Sequence, residues 1–144
     1  MRISVSADEN TGVASDVVRL LQEHGHQVTT HGALAQRERT DWAWASEAAA
    51  RDVADGRSDQ AVVCCWTGTG ASIAANKVAG VRAALCTDAE TARGARVWND
   101  ANVLALSLRL TSAAQLDEIL RAWFAAVPSP EPTDQANIAH LTQI

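Results

Sequence analysis

The chain has 144 residues, of which 47% are hydrophobic, and a formal net charge of -5, which suits one domain with one sizeable core. Because it has no cluster of Lys or Arg, it lacks the basic patch that nucleic acids and acidic membranes require, and we expect neither as a partner. Ser4, Ser6 and Asp8 interrupt the short apolar stretch at the start, so we expect no signal peptide or membrane span there and a cytoplasmic location.

Alternation of Ile3 and Val5 predicts a first strand over residues 2–7, followed by a turn. Apolar residues at helical spacing predict a helix over residues 13–24, and a second strand follows at 27–30. Residues 32–41 are polar and predict a loop. The Ala-rich residues 44–55 then predict a second helix that ends at Gly56.

The second half repeats this alternation. Residues 60–65 form an apolar run of the length and character of a central parallel strand. Further strands are predicted at 81–85 and 101–106, and helices at 90–97 and 116–126. Together the elements predict an α/β fold, with a five-stranded parallel sheet and helices on both faces, doubly wound and Rossmann-like. Ligands of such folds bind beyond the carboxyl ends of the strands.

The C-terminal segment differs from the rest in composition. Residues 1–126 hold all the strand and helix patterns above and are predicted to form the domain. Residues 127–144 carry three prolines and then a weak apolar pattern at Ile138 and Leu141. This tail is predicted to be either a frayed end or an arm that packs on a partner subunit.

The cysteines are Cys64, Cys65 and Cys86. Their number is odd and they lack metal-ligand spacing, while the two adjacent residues would point to opposite faces of a strand. We therefore expect free thiols and no metal site at the cysteines. No segment of the chain indicates a bound cofactor, and we expect none.

The most informative segment is residues 65–77, with the sequence CWTGTGASIAANK, where a buried strand turns into a helix. Gly68 and Gly70 allow consecutive backbone N–H groups to converge, and the helix N-terminus adds positive potential. Such a turn can hold an anionic oxygen. It also occurs merely to let a helix pack closely on a sheet, and the residues alone leave both interpretations open.

Several segments together resemble the family of ribose-5-phosphate isomerase B and galactose-6-phosphate isomerase. The resemblance is colinear from about residue 2 to residue 124, and its segments are Asp8 and residues 38–41, 65–77, 80–85, 91–93 and 99–105. It implies a metal-free aldose–ketose isomerase that works through an enediolate on a small sugar or sugar-like substrate. It also implies a homodimer, or a dimer of dimers, with active sites between subunits.

The resemblance assigns roles to individual residues. Cys65 matches the general base, Thr67 and the amides of residues 69–71 would hold the enediolate oxygen, and Asp8 would bind hydroxyls or assist ring opening. From the residues alone, a core position for Cys65 is favoured over a role in the site, and Asp8 has the alternative role of capping the helix that begins near Thr11. The remaining predicted substrate-binding residues are Glu9, Trp42, Trp66, Gly68, Thr69, Gly70, Ala71, Trp98, Asn99 and Arg109.

The chain departs from the family where the substrate would bind. Glu9 stands in place of a histidine, and its carboxylate would repel a phosphate. Trp98 replaces the histidine assigned to ring opening, and an indole cannot shuttle a proton at neutral pH. The basic C-terminal segment that grips phosphate is missing, since Arg121 is the last Lys or Arg. Arg109 is retained.

Tryptophans replace smaller or more polar residues of the family pattern at several of these positions. Trp42 stands where the family has tyrosine, and Trp66 replaces the glycine after the catalytic cysteine. With Trp44 and Trp98 they predict a reshaped and more apolar cleft, suited to stacking on a sugar face.

Three functions compete. The leading hypothesis is an aldose–ketose isomerase or epimerase that uses a cysteine base on a non-standard or non-phosphorylated sugar-like substrate. The alternative is a catalytically silent binding protein or pseudo-enzyme subunit of the same fold. The third is an ordinary ribose-5-phosphate isomerase in which Arg93 or Arg96 compensates for the missing basic tail.

Overall fold

The computed structural model describes residues 1–144 and confirms the predicted alternation of strands and helices. Five parallel strands form one sheet in the order β2-β1-β3-β5-β4. The bounds of the elements are β1 Arg2–Ala7, α1 Ala14–Glu23, β2 Gln27–Gly32, α2 Trp42–Ala54, β3 Gln60–Cys65, α3 Thr69–Asn76, β4 Ala83–Leu85, α4 Ala89–Asn99, β5 Val103–Ser107, α5 Ala113–Ala125 and α6 Pro132–His140. No helix is both long enough and apolar enough to cross a membrane.

The sheet separates two hydrophobic cores. On one face, α1, α4 and α5 pack around Trp123, whose ring N–H donates a hydrogen bond of 2.7 Å to Gln60 at the start of β3. On the other face, α2 and α3 approach the sheet closely, because the residues between them are small, such as Ala50, Ala71 and Ala75. All residues of β3 and β5 are buried, as their apolar sequences predict.

The strand order creates a crevice between β1 and β3. From β1 the chain passes to β2 on one side of the sheet, whereas β3 lies on the other side, so the connecting helices diverge here. In sheets of this kind, ligands bind at the carboxyl end of such a switch point. Ala7 pairs with Cys64 across the two strands. Asp8 and Cys65 therefore come next on either side of the crevice.

The observed bounds differ from the predicted ones mainly at helix ends. Helix α5 begins before the predicted residue 116, because Ser112 and Gln115 form a capping box that starts the helix at Ala113. Helix α2 also begins two residues early and includes Trp42. Strand β4 is shorter than predicted, at Ala83–Leu85.

The C-terminal tail returns to its own chain. The Ser129 N–H donates to the Val97 carbonyl across 2.7 Å, and α6 then packs on α4. No residue of α6 is buried in the single chain. Packing of this tail on a partner subunit stays a prediction.

Candidate active site

Cys65 ends β3 and faces the first turn of α3. The Ala71 N–H donates to the Cys65 sulfur across 3.4 Å. Between them Gly68 adopts a φ of 76°, and a Cβ there would lie 2.6 Å from a methyl carbon of Leu85. Only glycine fits both the conformation and the space. The turn thus aims the backbone N–H groups of a helix N-terminus at the Cys65 sulfur.

The other two cysteines lie in the core, as predicted. Burial raises the pKa of Cys64 to about 12, and the neighbouring Cys65 and Asp8 act in the same direction. Burial likewise raises the pKa of Cys86 to about 12. Cys65 is 5% exposed, against 1% for each of the others. All three cysteines are buried, and Cys65 alone accepts a hydrogen bond from a helix amide.

Thr67 and Thr69 flank the glycine turn. Their hydroxyl oxygens lie 2.7 Å apart and both side chains are exposed. A hydroxyl pair that shares one hydrogen bond retains one proton to donate elsewhere. The loop therefore offers a hydroxyl donor beside the backbone amides of the first turn of α3.

Asp8 lies across the crevice from Cys65. Neighbouring parallel strands are about 4.8 Å apart, so the register of β1 and β3 puts the two backbones side by side. One carboxylate oxygen of Asp8 is buried and has no hydrogen-bond partner. Burial raises the pKa of Asp8, and the negative charge of the exposed Glu9 adds to the rise. A buried carboxylate oxygen without a partner is stabilised by any hydrogen-bond donor that reaches it.

Arg109 reaches the same edge of the sheet through backbone pairing. Its N–H donates to the Trp66 carbonyl across 3.0 Å, and the Ser107 hydroxyl donates to the same oxygen. Nine of the chain's arginines form ion pairs within the chain, whereas Arg109 and Arg37 form none. The exposed guanidinium of Arg109 is thus free to bind an anion.

Two tryptophans border this crevice. The Trp42 ring lies on Gly70, where a Cβ would come within 2.9 Å of the ring. Trp66 follows Cys65 directly, and both indoles are about half exposed. Trp44 instead stacks under Arg39, whose guanidinium carbon lies 3.4 Å from the ring centroid. The predicted apolar border therefore contains Trp42 and Trp66.

Trp98 and Asn99 lie elsewhere in the single chain. Helix α4 leaves the carboxyl edge after β4 and runs back about 16 Å over its 11 residues. Asn99 consequently lines a cavity with Arg82 and Ala83, at the amino end of β4. The structure does not bring Asn99 to Cys65 within one chain, because the helix carries it to the opposite edge of the sheet. The Trp98 ring folds back on Gly94 and lines a separate groove with Leu85, which does not include Cys65.

A buried polar network holds the loop that precedes Trp42, and sequence reasoning missed it. Asp52 of α2 accepts hydrogen bonds from Ser4, His31 and Arg57. The other ring nitrogen of His31 lies 3.1 Å from a carboxylate oxygen of Glu38 in the loop. Burial acts to raise the pKa of Asp52, but the hydrogen bonds outweigh it and lower the pKa. The polar Ser4 between the apolar Ile3 and Val5 of β1 was the available signal.

The chain is similar to known sugar isomerases in both sequence and structure. Residues 3–141 match the family described as Ribose/Galactose Isomerase. Ribose-5-phosphate isomerase B of Escherichia coli K12 is 39% identical over 111 residues, covering 77% of this chain and 74% of that protein. D-erythrulose-4-phosphate isomerase of Pectobacterium atrosepticum is 32% identical over 127 residues, covering 88% and 84%. The structure of type B ribose 5-phosphate isomerase from Trypanosoma brucei superposes with a TM-score of 0.89 at 35% identity, covering 99% of this chain and 97% of that one.

Proposed function

Since the chain belongs to the ribose/galactose isomerase family, we propose that it interconverts an aldose and a ketose through an enediolate, with Cys65 as the base. The observation that carries this proposal is the hydrogen bond from the Ala71 amide to the Cys65 sulfur. It joins the one thiol at the switch point of the sheet to a helix N-terminus. The crevice beside it holds Asp8 with an unpartnered carboxylate oxygen.

The proposed reaction moves one proton between adjacent carbons. The Cys65 thiolate takes the proton from the carbon next to the carbonyl, and the electron pair moves onto the carbonyl oxygen. Amides at the start of α3 and the Thr67 hydroxyl stabilise the resulting oxyanion. The thiol then returns the proton to the neighbouring carbon, while Asp8 binds the hydroxyls between which the second proton moves.

The substrate that fits best is one that stays open-chain. An indole at position 98 cannot protonate or deprotonate a ring oxygen at neutral pH, so no ring-opening group is available there. D-erythrulose 4-phosphate, named for one relative, is a four-carbon 2-ketose that is too short to close a five-membered ring. The ester at its terminal oxygen prevents the corresponding aldose from closing one. This relative supports a short, non-cyclising substrate rather than the five-carbon sugar phosphate.

Charge at the crevice supports weak binding of a phosphate at most. Arg109 supplies one free guanidinium, whereas Glu9 adds a carboxylate at the same edge. One cation against one anion makes a poor clamp for a dianion. A non-phosphorylated or singly charged sugar derivative is therefore included in the proposal.

We further propose a homodimer in which Trp98 and Asn99 of one chain complete the Cys65 site of the other. Support comes from their position, since α4 carries both residues away from the crevice of their own chain. The Asn99 side chain makes no hydrogen bond within the chain and is exposed. It is thus free to bind a hydroxyl at a subunit boundary.

Solvent deuterium exchange tests the proposal. The protein is incubated in deuterated water with D-ribose 5-phosphate, D-erythrulose 4-phosphate or D-erythrulose, and the carbon next to the carbonyl is followed by proton NMR. We expect exchange that falls by about 100-fold or more in Cys65→Ala, while the control Cys86→Ala retains it. Absence of exchange with all three sugars would favour the catalytically silent binding protein instead.

A further inference from the structure

The Trp98 indole packs against its own helix, on Gly94. A Cβ at Gly94 would come within 2.6 Å and 2.8 Å of two ring carbons of Trp98. Gly94 is buried in the middle of α4, where glycine is less favourable than alanine. The ring occupies the space that this glycine leaves, so the two residues fit each other as a pair.

A second contact, with Arg93, also holds the ring. The guanidinium carbon of Arg93 lies 5.1 Å from the centroid of the Trp98 ring. Arg93 is itself fixed by Glu90, through two hydrogen bonds of 2.6 Å and 2.9 Å. A cation held over an indole face attracts it and restricts its rotation. The exposed indole is therefore held in one orientation before any ligand arrives.

The fixed ring forms one wall of a groove between α4 and the edge strand β4. The groove has a volume of about 610 Å³, and it is lined by Ala84, Leu85, Glu90, Thr91, Gly94, Ala95, Trp98 and Asn99. Leu85 also packs on Gly68, so the groove adjoins the glycine turn. Its apolar wall with a few polar groups at the rim resembles the make-up of small-molecule sites.

We propose that Gly94 is a positioning residue that seats the Trp98 indole, and that the seated indole is the stacking wall for the carbon chain of an open-chain sugar. The inference rests on the proposed function, because it names how that site selects its substrate. The apolar face of an indole packs on the C–H groups of a ligand and requires no ring oxygen, so an open-chain sugar can use it. A preorganised wall binds without the entropic cost of ordering a mobile side chain.

The test combines a label with a double-mutant cycle. The full chain is labelled with 5-fluorotryptophan, and Trp98→Phe identifies the Trp98 signal among the five tryptophans. We expect Gly94→Ala to move the Trp98 signal and to leave the signals of the other four in place. D-erythrulose 4-phosphate should shift this signal in the parent, with half-saturation about tenfold higher in Gly94→Ala.

Kinetics separate positioning from general damage. We expect Gly94→Ala to act on KM far more than on kcat, by about tenfold, and to change neither further once Trp98 is replaced by alanine. An unmoved Trp98 signal, no ligand shift in the parent, or an equal effect of Gly94→Ala with and without Trp98 overturns the inference. If the ligand shifts appear but no solvent deuterium exchange occurs, the seat and the stacking wall stand and the proposed isomerase activity fails.

Discussion

Cys65 and Ala71 are joined by a hydrogen bond from a backbone amide to a sulfur, at 3.4 Å, across a turn that only glycine at position 68 can make. The bond links the last residue of a central strand to the first turn of the following helix. Its position at the switch point of the sheet puts the thiol where ligands of such folds bind.

The first prediction concerns selective alkylation. Iodoacetamide at pH 7 to 8 should modify Cys65 about tenfold faster than the other cysteines, because only the thiolate reacts. The pKa values of Cys64 and Cys86 lie near 12, and both residues are almost fully buried. Peptide mass spectrometry over a time course measures each rate. Modification of Cys86 before Cys65 would contradict the assignment, and Cys65→Ser serves as the control that should show no fast phase.

A second prediction concerns Asp8. Burial raises its pKa, so stability that depends on the protonated group is present below its ordinary pKa and is lost as the pH rises through the raised value. Asp8→Asn should therefore increase the melting temperature at pH 8 more than at pH 4. Solvent exchange into substrate should fall by about 100-fold in the same variant.

Glu9→Gln is the matched control for Asp8. Glu9 is exposed and adjacent to Asp8, so this substitution removes the charge repulsion between the two carboxylates and leaves the Asp8 side chain in place. This variant should retain exchange activity. A variant of Asp8 that is both less stable at pH 8 and fully active would assign the residue to helix capping, the alternative that the sequence left open.

The strands were the part of the fold that sequence predicted best. The predicted strands at Arg2–Ala7 and Gln60–Cys65 have the same bounds as the observed strands. They could be predicted because the residue types along a strand reflect which of its faces are buried. The first residues of the helices were harder to predict from sequence. Side-chain capping at Ser112 begins α5 ahead of its apolar pattern, and apolar periodicity does not register a polar cap.

The candidate site was predictable in its composition and less so in its arrangement. The glycine turn indicated Cys65 as a site residue. A sequence motif does not state where the end of a helix lies relative to the sheet, and Trp98 and Asn99 lie away from Cys65 in the single chain. The seat of Trp98 on Gly94 has helical spacing in the sequence. This spacing does not state that the ring folds back over the glycine, because the same spacing allows other side-chain orientations.

The third prediction tests the network behind the loop that leads to Trp42. Hydrogen bonds lower the pKa of Asp52 despite its burial, so its contribution to stability is present above its ordinary pKa and is lost as the pH falls through the lowered value. Asp52→Asn should reduce the free energy of unfolding by about 3 kcal/mol at pH 7, because it leaves buried partners unpaired. Urea unfolding at pH 7 and at pH 3 measures the difference, which should shrink at the lower pH.

Asp55→Asn is the control for this network. It removes an exposed partner of the same arginine, Arg57, and exposed ion pairs contribute about 1 kcal/mol or less. Equal losses in Asp52→Asn and Asp55→Asn would show that the buried network contributes no more than a surface pair.

The last prediction addresses the composite site. Cys65→Ala and Asn99→Ala each remove one half of the proposed site, so each variant alone should be inactive as a homodimer. In a mixed dimer, one site combines both defects, whereas the other combines the intact Cys65 of one chain with the intact Asn99 of the other. Equal mixing with subunit exchange should therefore restore about one quarter of the parent activity, since half of the dimers are mixed and each has one intact site. Mixed dimers, verified by native mass spectrometry, that remain inactive would show that both residues serve the same chain's site, or that neither serves the reaction as proposed.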